Sequence, residues 1–302
     1  MRALRRADRE EGMTGVYQGE SANAMKVQKL LVQGGIHGLL FFISLLFLIP
    51  LWWLFITSIK PLDQILTLPP IWWPQPPQWE NYVAALTSPA FPFWRLMGNT
   101  LFYCVTSTIG TVVSSAVVAY AFARMRFTGR DLLFGITLAT LLLPGVVTLI
   151  PTYVLFQRMG LVGTYAPLII PYFFGSAFNI FLLRQFMLTI PVELSDAAYV
   201  DGAGDFLILW RIMVPLVKPA LIVVAIFNFI YAWNDFLGPL LYLDDSSRYP
   251  LSIGLYAFRT RFALQWNLIT AAALAITIPL IAAFFVLQRY FIEGVTLTGL
   301  KG

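Results

Sequence analysis

The chain has 302 residues, 59% of them hydrophobic and 12% charged, with a mean hydropathy of +0.75 and a formal net charge of +5. Soluble domains hold about 45–50% apolar and about 25% charged residues, so one soluble core is excluded and an all-α polytopic membrane protein is expected. A single histidine, His37, and a single cysteine, Cys104, exclude clustered His/Cys metal sites and an intramolecular disulfide.

Residues 1–30 are polar and basic, holding Arg2, Arg5, Arg6, Arg9, Lys26 and Lys29. They are expected to form a disordered tail, with Met13 and Met25 as alternative starts. The first apolar run follows within 31–58; it is too long for a signal-peptide core and lacks a small-x-small cleavage site, so an uncleaved anchor is expected. A spanning helix needs about 20 apolar residues to cross a hydrocarbon core of roughly 30 Å. On that measure about six spans are expected, near 36–58, 97–121, 132–156, 165–187, 219–243 and 267–289. The last five form a core over 97–289, and residues 290–302 form a tail.

Between the first two spans, residues 59–96 include "LPPIWWPQPPQWENY". Its prolines and its tryptophans Trp72, Trp73 and Trp79 suit a rigid segment at headgroup level, whether as an anchor or as a partner contact. Prolines inside the spans (Pro50, Pro144, Pro151, Pro171 and Pro279) each remove a backbone hydrogen bond and favour kinks.

With six spans both termini share one side. That side carries fourteen Lys and Arg against six on the other, so both termini are expected in the cytoplasm. The basic excess therefore sets orientation and lipid contact, and no nucleic-acid partner is expected.

The segment "PVELSDAAYVDGAGDFLILWRIMVPLVKP" (191–219) stands out between spans four and five. Pro191 and Glu193 suit a helix start; Leu194, Ala197, Ala198 and Asp201 follow at helical spacing. Gly202 fits a left-handed cap, and Asp205 is expected to N-cap a second helix with an apolar stripe of Phe206, Leu209, Trp210 and Met213. A helix pair lying flat on lipid accounts for the stripe. It does not account for four carboxylates, which anionic lipids repel; an element docking into another protein accounts for both.

At these residues the chain resembles the binding-protein-dependent ABC importer permeases. Asp196-Ala197-Ala198, then Asp201-Gly202-Ala203, then Val214-Pro215 is similar to their EAA loop, with Asp196 in place of Glu and Val214 in place of Leu. "FTGRDLLF", "LLPGVVTLIP", "GLVGT" and "WNDFLGPLLYL" extend the resemblance over most of the chain, and "QRYFIEGVTLTGLKG" resembles the tail of the carbohydrate, maltose-permease-like branch.

The resemblance implies a type I ABC importer transmembrane domain. It implies an inner-membrane location for this chain, with a second homologous permease beside it, two cytoplasmic ABC ATPase subunits that bind ATP and Mg, and an extracytoplasmic solute-binding protein. It implies that Asp196, Ala197, Ala198, Asp201, Gly202, Ala203 and Asp205 couple to an ATPase, and that Gly294, Thr298, Gly299, Lys301 and Gly302 in the tail contact the ATPases. The chain itself has no G-x-x-x-x-G-K-[ST] phosphate loop, so it is expected to bind no cofactor and to be no enzyme.

Polar and aromatic residues within spans four and five are the candidates for a solute path: Asn179, Asn228, Tyr231, Trp233, Asn234 and Asp235. Each also has a packing or interfacial-anchor reading, and Asp235 is expected near the outer interface. A sugar or a solute such as glycerol phosphate fits the carbohydrate branch. A secondary transporter would bury more charge mid-span, and a membrane enzyme would need clustered acid, base or metal ligands.

Overall fold

The computed structural model describes the backbone of residues 4–299 and the side chains of residues 29, 32–286 and 288. The chain divides into two units, residues 1–57 and 58–302. The first is built on α1 (Leu4–Ser58), whose apolar part, Val32–Ser58, has a mean hydropathy of 2.6 and is long enough to cross a bilayer. The tail expected to be disordered is helical from Leu4 onward. Its Ala, Arg, Glu, Gln and Lys content favours helix, and no proline interrupts it before Pro50.

Among its described residues the second unit is built of helices joined by turns, with no strand. After a turn-rich segment come α2 (Glu80–Leu86) and the long α3 (Phe93–Arg124). Then α4 (Arg130–Ala139), a 3₁₀ turn, and α5 (Gly145–Arg158) form one apolar pair bent by 100°. The span expected at 132–156, with Pro144 and Pro151 favouring kinks in it, is broken by this bend. Leu143 lies in the extended region (φ −80°, ψ 114°), where the following Pro144 ring pushes it.

Span four runs over Ala166–Leu188 as α6 (Ala166–Ile169), a 3₁₀ stretch, and α7 (Ala177–Leu188). Next come α8 (Glu193–Val200), α9 (Asp205–Ile208), a π turn over Leu209–Met213, and α10 (Val214–Leu216). The chain then turns 82° into α11 (Lys218–Asn234). The span expected at 219–243 ends at Asn234, because Asp235 leaves helical geometry (ψ 117°), and α12 (Leu237–Tyr242) is a separate element. Last are α13 (Leu251–Arg261) and α14 (Trp266–Gly299). Among the described residues four helices are long and apolar enough to span, or up to six if each bent pair is one span.

α3 is the mast of this unit. Its N-terminal half packs into one apolar cluster with Phe91, Trp233, Leu251, Phe258, Ala271 and Ala272. Its C-terminal half packs into another with Leu183, Met187, Ile208, Met213 and Val224. Small residues let α7 and α11 approach it: Ser107, Gly110, Thr111, Ser115, Ala116 and Ala119 face inward. At Gly110 the 3₁₀ stretch before α7 also comes close, since a Cβ there would meet the Phe173 ring at 2.7 Å. The opposite face of α3 exposes Phe102, Val105, Ile109, Val113 and Val117, an apolar stripe at helical spacing suited to lipid or to a second membrane helix.

Asn81 stitches the far end of the unit together. Its amide donates to the carbonyls of Ser58 (3.0 Å) and Lys60 (3.1 Å) and accepts from Asn267 on α14 (3.0 Å).

Candidate functional site

The segment 191–219 folds as a short helix, a glycine turn and a second helical stretch. Val192 opens α8, its carbonyl accepting from the N–H groups of Ser195 and Asp196 at 2.9 and 3.1 Å. The helix closes in a Schellman motif: Gly202 N–H bonds the Tyr199 carbonyl at 3.0 Å and Ala203 N–H bonds the Ala198 carbonyl at 2.9 Å. Gly202 has φ +82°, so the left-handed cap expected from the sequence is found. A Cβ at Gly202 would meet nothing within 4 Å, so its surroundings are open.

Asp205 departs from expectation. Gly204 occupies the N-cap position and its carbonyl accepts from Leu207 and Ile208, both at 3.0 Å. Asp205 is the first helical residue, and its carboxylate turns inward to accept the hydroxyls of Tyr199 (2.5 Å) and Tyr120 (3.1 Å). Two nearby phenols outcompete the local backbone for the carboxylate. The bond to Asp205 raises the Tyr199 pKa above its ordinary value, because the phenol must stay protonated to donate.

The other residues expected to couple separate into two faces. Asp196, Ala197, Asp201 and Gly202 are exposed. Ala198 is buried in the second apolar cluster and Ala203 is half-buried against it. The expected stripe of the second helix divides too: Leu209 and Met213 are buried, whereas Phe206 is exposed. Sequence reasoning missed Val200, 88% exposed at the end of α8. An apolar residue that bare beside a glycine turn is the signal that could have singled it out.

The base of the loop is held by arginines. Arg124, in the last turn of α3, donates through Nη2 to the carbonyls of Met187 (2.7 Å) and Ile190 (2.6 Å), capping the C-terminal end of α7. Arg184 donates to the Phe122 carbonyl at 3.3 Å and lies 4.2 Å from the centre of the Phe134 ring. A cavity of about 530 Å³ separates α8 from the α3–α4 turn, lined by Arg124, Arg126 and Arg130 on one side and Ser195, Asp196 and Tyr199 on the other.

The solute-path candidates do not converge. Asn228 is buried, accepting from Thr111 (3.1 Å) and donating to Thr108 (3.2 Å), so it joins α11 to α3. Trp233 is buried and stacks on Phe229 at 5.6 Å. Asn179 is buried on α7. Tyr231 and Asn234 are exposed on α11, the latter donating to its own helix at Ile230. Asp235 is not a freely solvated interfacial charge: half-buried, it accepts from Tyr103 (2.8 Å) and from Gly238 N–H (3.0 Å). None of the six lines the apolar groove of about 490 Å³ between α3, α11 and α14.

In the tail, the backbone of Gly294, Thr298 and Gly299 continues α14, but their contacts, together with Lys301 and Gly302 entirely, lie outside the described residues.

Residues 112–296 match the family model described as the inner membrane component of binding-protein-dependent transport systems. The arabinooligosaccharides transport system permease protein AraQ of Halalkalibacterium halodurans is 30% identical over 86% of this chain and 94% of its own. The sn-glycerol-3-phosphate transport system permease protein UgpE of Yersinia enterocolitica is 32% identical over 85% of this chain and 94% of its own. Among solved structures, a chain of a bacterial ABC transporter that imports the acidic polysaccharide alginate superimposes with a TM-score of 0.75 at 26% identity, covering 86% of this chain and 96% of that one.

Proposed function

The chain belongs to the family of binding-protein-dependent transport system inner membrane components, and from that premise we propose that it is a permease subunit of an ATP-driven importer for a sugar or a related solute. Relatives named for arabinooligosaccharide and glycerol-3-phosphate transport support that solute range. With a second homologous permease it forms the translocation path in the inner membrane. Two ABC ATPase subunits bind ATP and Mg and supply the energy, and an extracytoplasmic solute-binding protein delivers the solute.

Both termini are cytoplasmic in this reading, as the fourteen-to-six distribution of basic residues supports. The loop 191–219 then faces the ATPases. The observation that carries the assignment is its tip. Val200 and Gly202 stand exposed around a rigid Schellman turn, with Asp196 and Asp201 beside them. Coupling is thermodynamic: ATP favours one global arrangement, and the loop takes a different position in each. The tail from Gly294 to Gly302 is a second ATPase contact. Tyr231 and Asn234, whose side chains are exposed on α11, are the path candidates left free by packing.

The test is reconstitution of the complete importer in proteoliposomes. Wild type takes up solute only with ATP, and Gly202→Val hydrolyses ATP with uptake reduced about tenfold or more. Normal uptake by Gly202→Val removes the coupling assignment.

A further inference from the structure

Asp205 sits three residues past Gly202 at the exposed tip of the loop, and it is half-buried. Its Oδ1 accepts from Tyr199 on α8 and from Tyr120 on α3. Tyr120 is 3% exposed and packed in the second apolar cluster, so this end of the relay is fixed in the bundle. Tyr199 is 43% exposed on the helix that an ATPase would push. One carboxylate oxygen thus joins the moving surface to the mast of the bundle.

The surroundings make that joint matter. On the Arg124 side, α8 is separated from the α3–α4 turn by the cavity of about 530 Å³, and Ser195, which faces it from α8, is buried with its hydroxyl unpartnered. Along that side α8 lacks the close packing that would carry a push into α3. The remaining inward anchor of α8 is Ala198, a single methyl group. A hydrogen bond to an ionised carboxylate is stronger than a neutral one and fixes direction as well as distance. α3 in turn packs against α7 through the second apolar cluster and against α11 through both, so a displacement delivered to Tyr120 is delivered to the helices around it.

We propose that Asp205 is the positioning residue that transmits movement of the coupling helix into α3, through the Tyr199–Asp205–Tyr120 relay. This rests on the permease reading above and deepens it. Asp205, joined to α3 through Tyr120, then decides how much of the ATPase stroke reaches the spans.

The experiment compares solute moved per ATP hydrolysed in proteoliposomes holding the complete importer. Asp205→Ala is expected to co-purify with the ATPases and to hydrolyse ATP while the ratio falls about tenfold, the size expected for losing hydrogen bonds to a charged acceptor. Asp205→Asn keeps an acceptor oxygen and restores most of the ratio. Tyr120→Phe, which keeps the ring in the core, lowers the ratio by itself. Combined with Asp205→Ala it adds nothing further, because both act on one relay.

A ratio unchanged in Asp205→Ala, with wild-type uptake normal, overturns the relay alone. Should Asp205→Ala fail to assemble, Tyr120→Phe decides: an unchanged ratio there overturns the relay just as well. A wild-type complex without ATP-dependent uptake overturns the permease reading, and the relay with it.

Discussion

The phenol of Tyr103, on α3, donates to the carboxylate of Asp235, just past the end of α11, at 2.8 Å. Tyr103 is 1% exposed, so its hydroxyl has no water to turn to. The same carboxylate receives Gly238 N–H, and the Asp235 carbonyl receives the Ser252 hydroxyl at 2.7 Å. Asp235 therefore ties α3, α12 and α13 at one point. Asp235→Ala leaves the buried Tyr103 hydroxyl with only the Tyr172 hydroxyl at 3.5 Å and the half-buried Gly238 N–H without this acceptor, and is expected to lower stability by about 1.5–3 kcal/mol. Asp235→Asn, which retains a carbonyl oxygen, should lose less. Thermal unfolding of the detergent-solubilised complex reads the difference, and equal melting temperatures for wild type and Asp235→Ala would leave the tie without energetic weight.

Asn228 uses both ends of its amide on α3, at Thr111 and Thr108. Interhelical hydrogen bonds in membranes average only about 0.6 kcal/mol. Asn228→Leu is accordingly expected to reduce thermal stability slightly and to leave the apparent KM for solute unchanged. A KM raised tenfold would instead place Asn228 on the solute path.

At Gly110 a side chain must displace the Phe173 ring, which lies 2.7 Å from the would-be Cβ. Overpacking of this kind costs about 1–3 kcal/mol. Gly110→Leu should therefore destabilise the complex, and Phe173→Ala in the same chain should recover part of the loss by vacating the space. Additive losses in the double variant would show that the contact is not what limits position 110.

Arg124→Met keeps an apolar stem but removes the donor from the Met187 and Ile190 carbonyls. The C-terminal end of α7, immediately before the coupling loop, is then expected to fray. Amide hydrogen exchange over 186–195 should rise several-fold while that of α14 stays constant. Unchanged protection in 186–195 would mean that α7 holds its end without the arginine.

How far these features could be read beforehand follows from the range over which each acts. Gly202 was legible because a glycine after an amphipathic run reports a local backbone need, and its φ of +82° meets it. The long apolar helix over Val32–Ser58 was legible from hydropathy, which sums over neighbours. Asp205 was not: a carboxylate at a helix start serves equally as a cap or as an inward acceptor, and the deciding Tyr120 lies 85 residues away. A kink at Pro144 was legible from the proline itself, but its size of 100° was not, since hydropathy is blind to direction. Arg124 carried a usable signal, a cation in the last turn of a helix, but its acceptors belong to another helix 63 and 66 residues on.

The open space around Gly202 has a consequence for the smallest side chain that could stand there. The backbone sits in a region that is strained for an L residue by about 1–2 kcal/mol. Because the Cβ of an L residue would touch nothing within 4 Å, an L-alanine at 202 costs the free chain that strain and no clash. Any defect beyond that strain in the assembled importer then belongs to the surface pressed against the turn. One methyl group thereby separates what the turn needs for itself from what its partner demands.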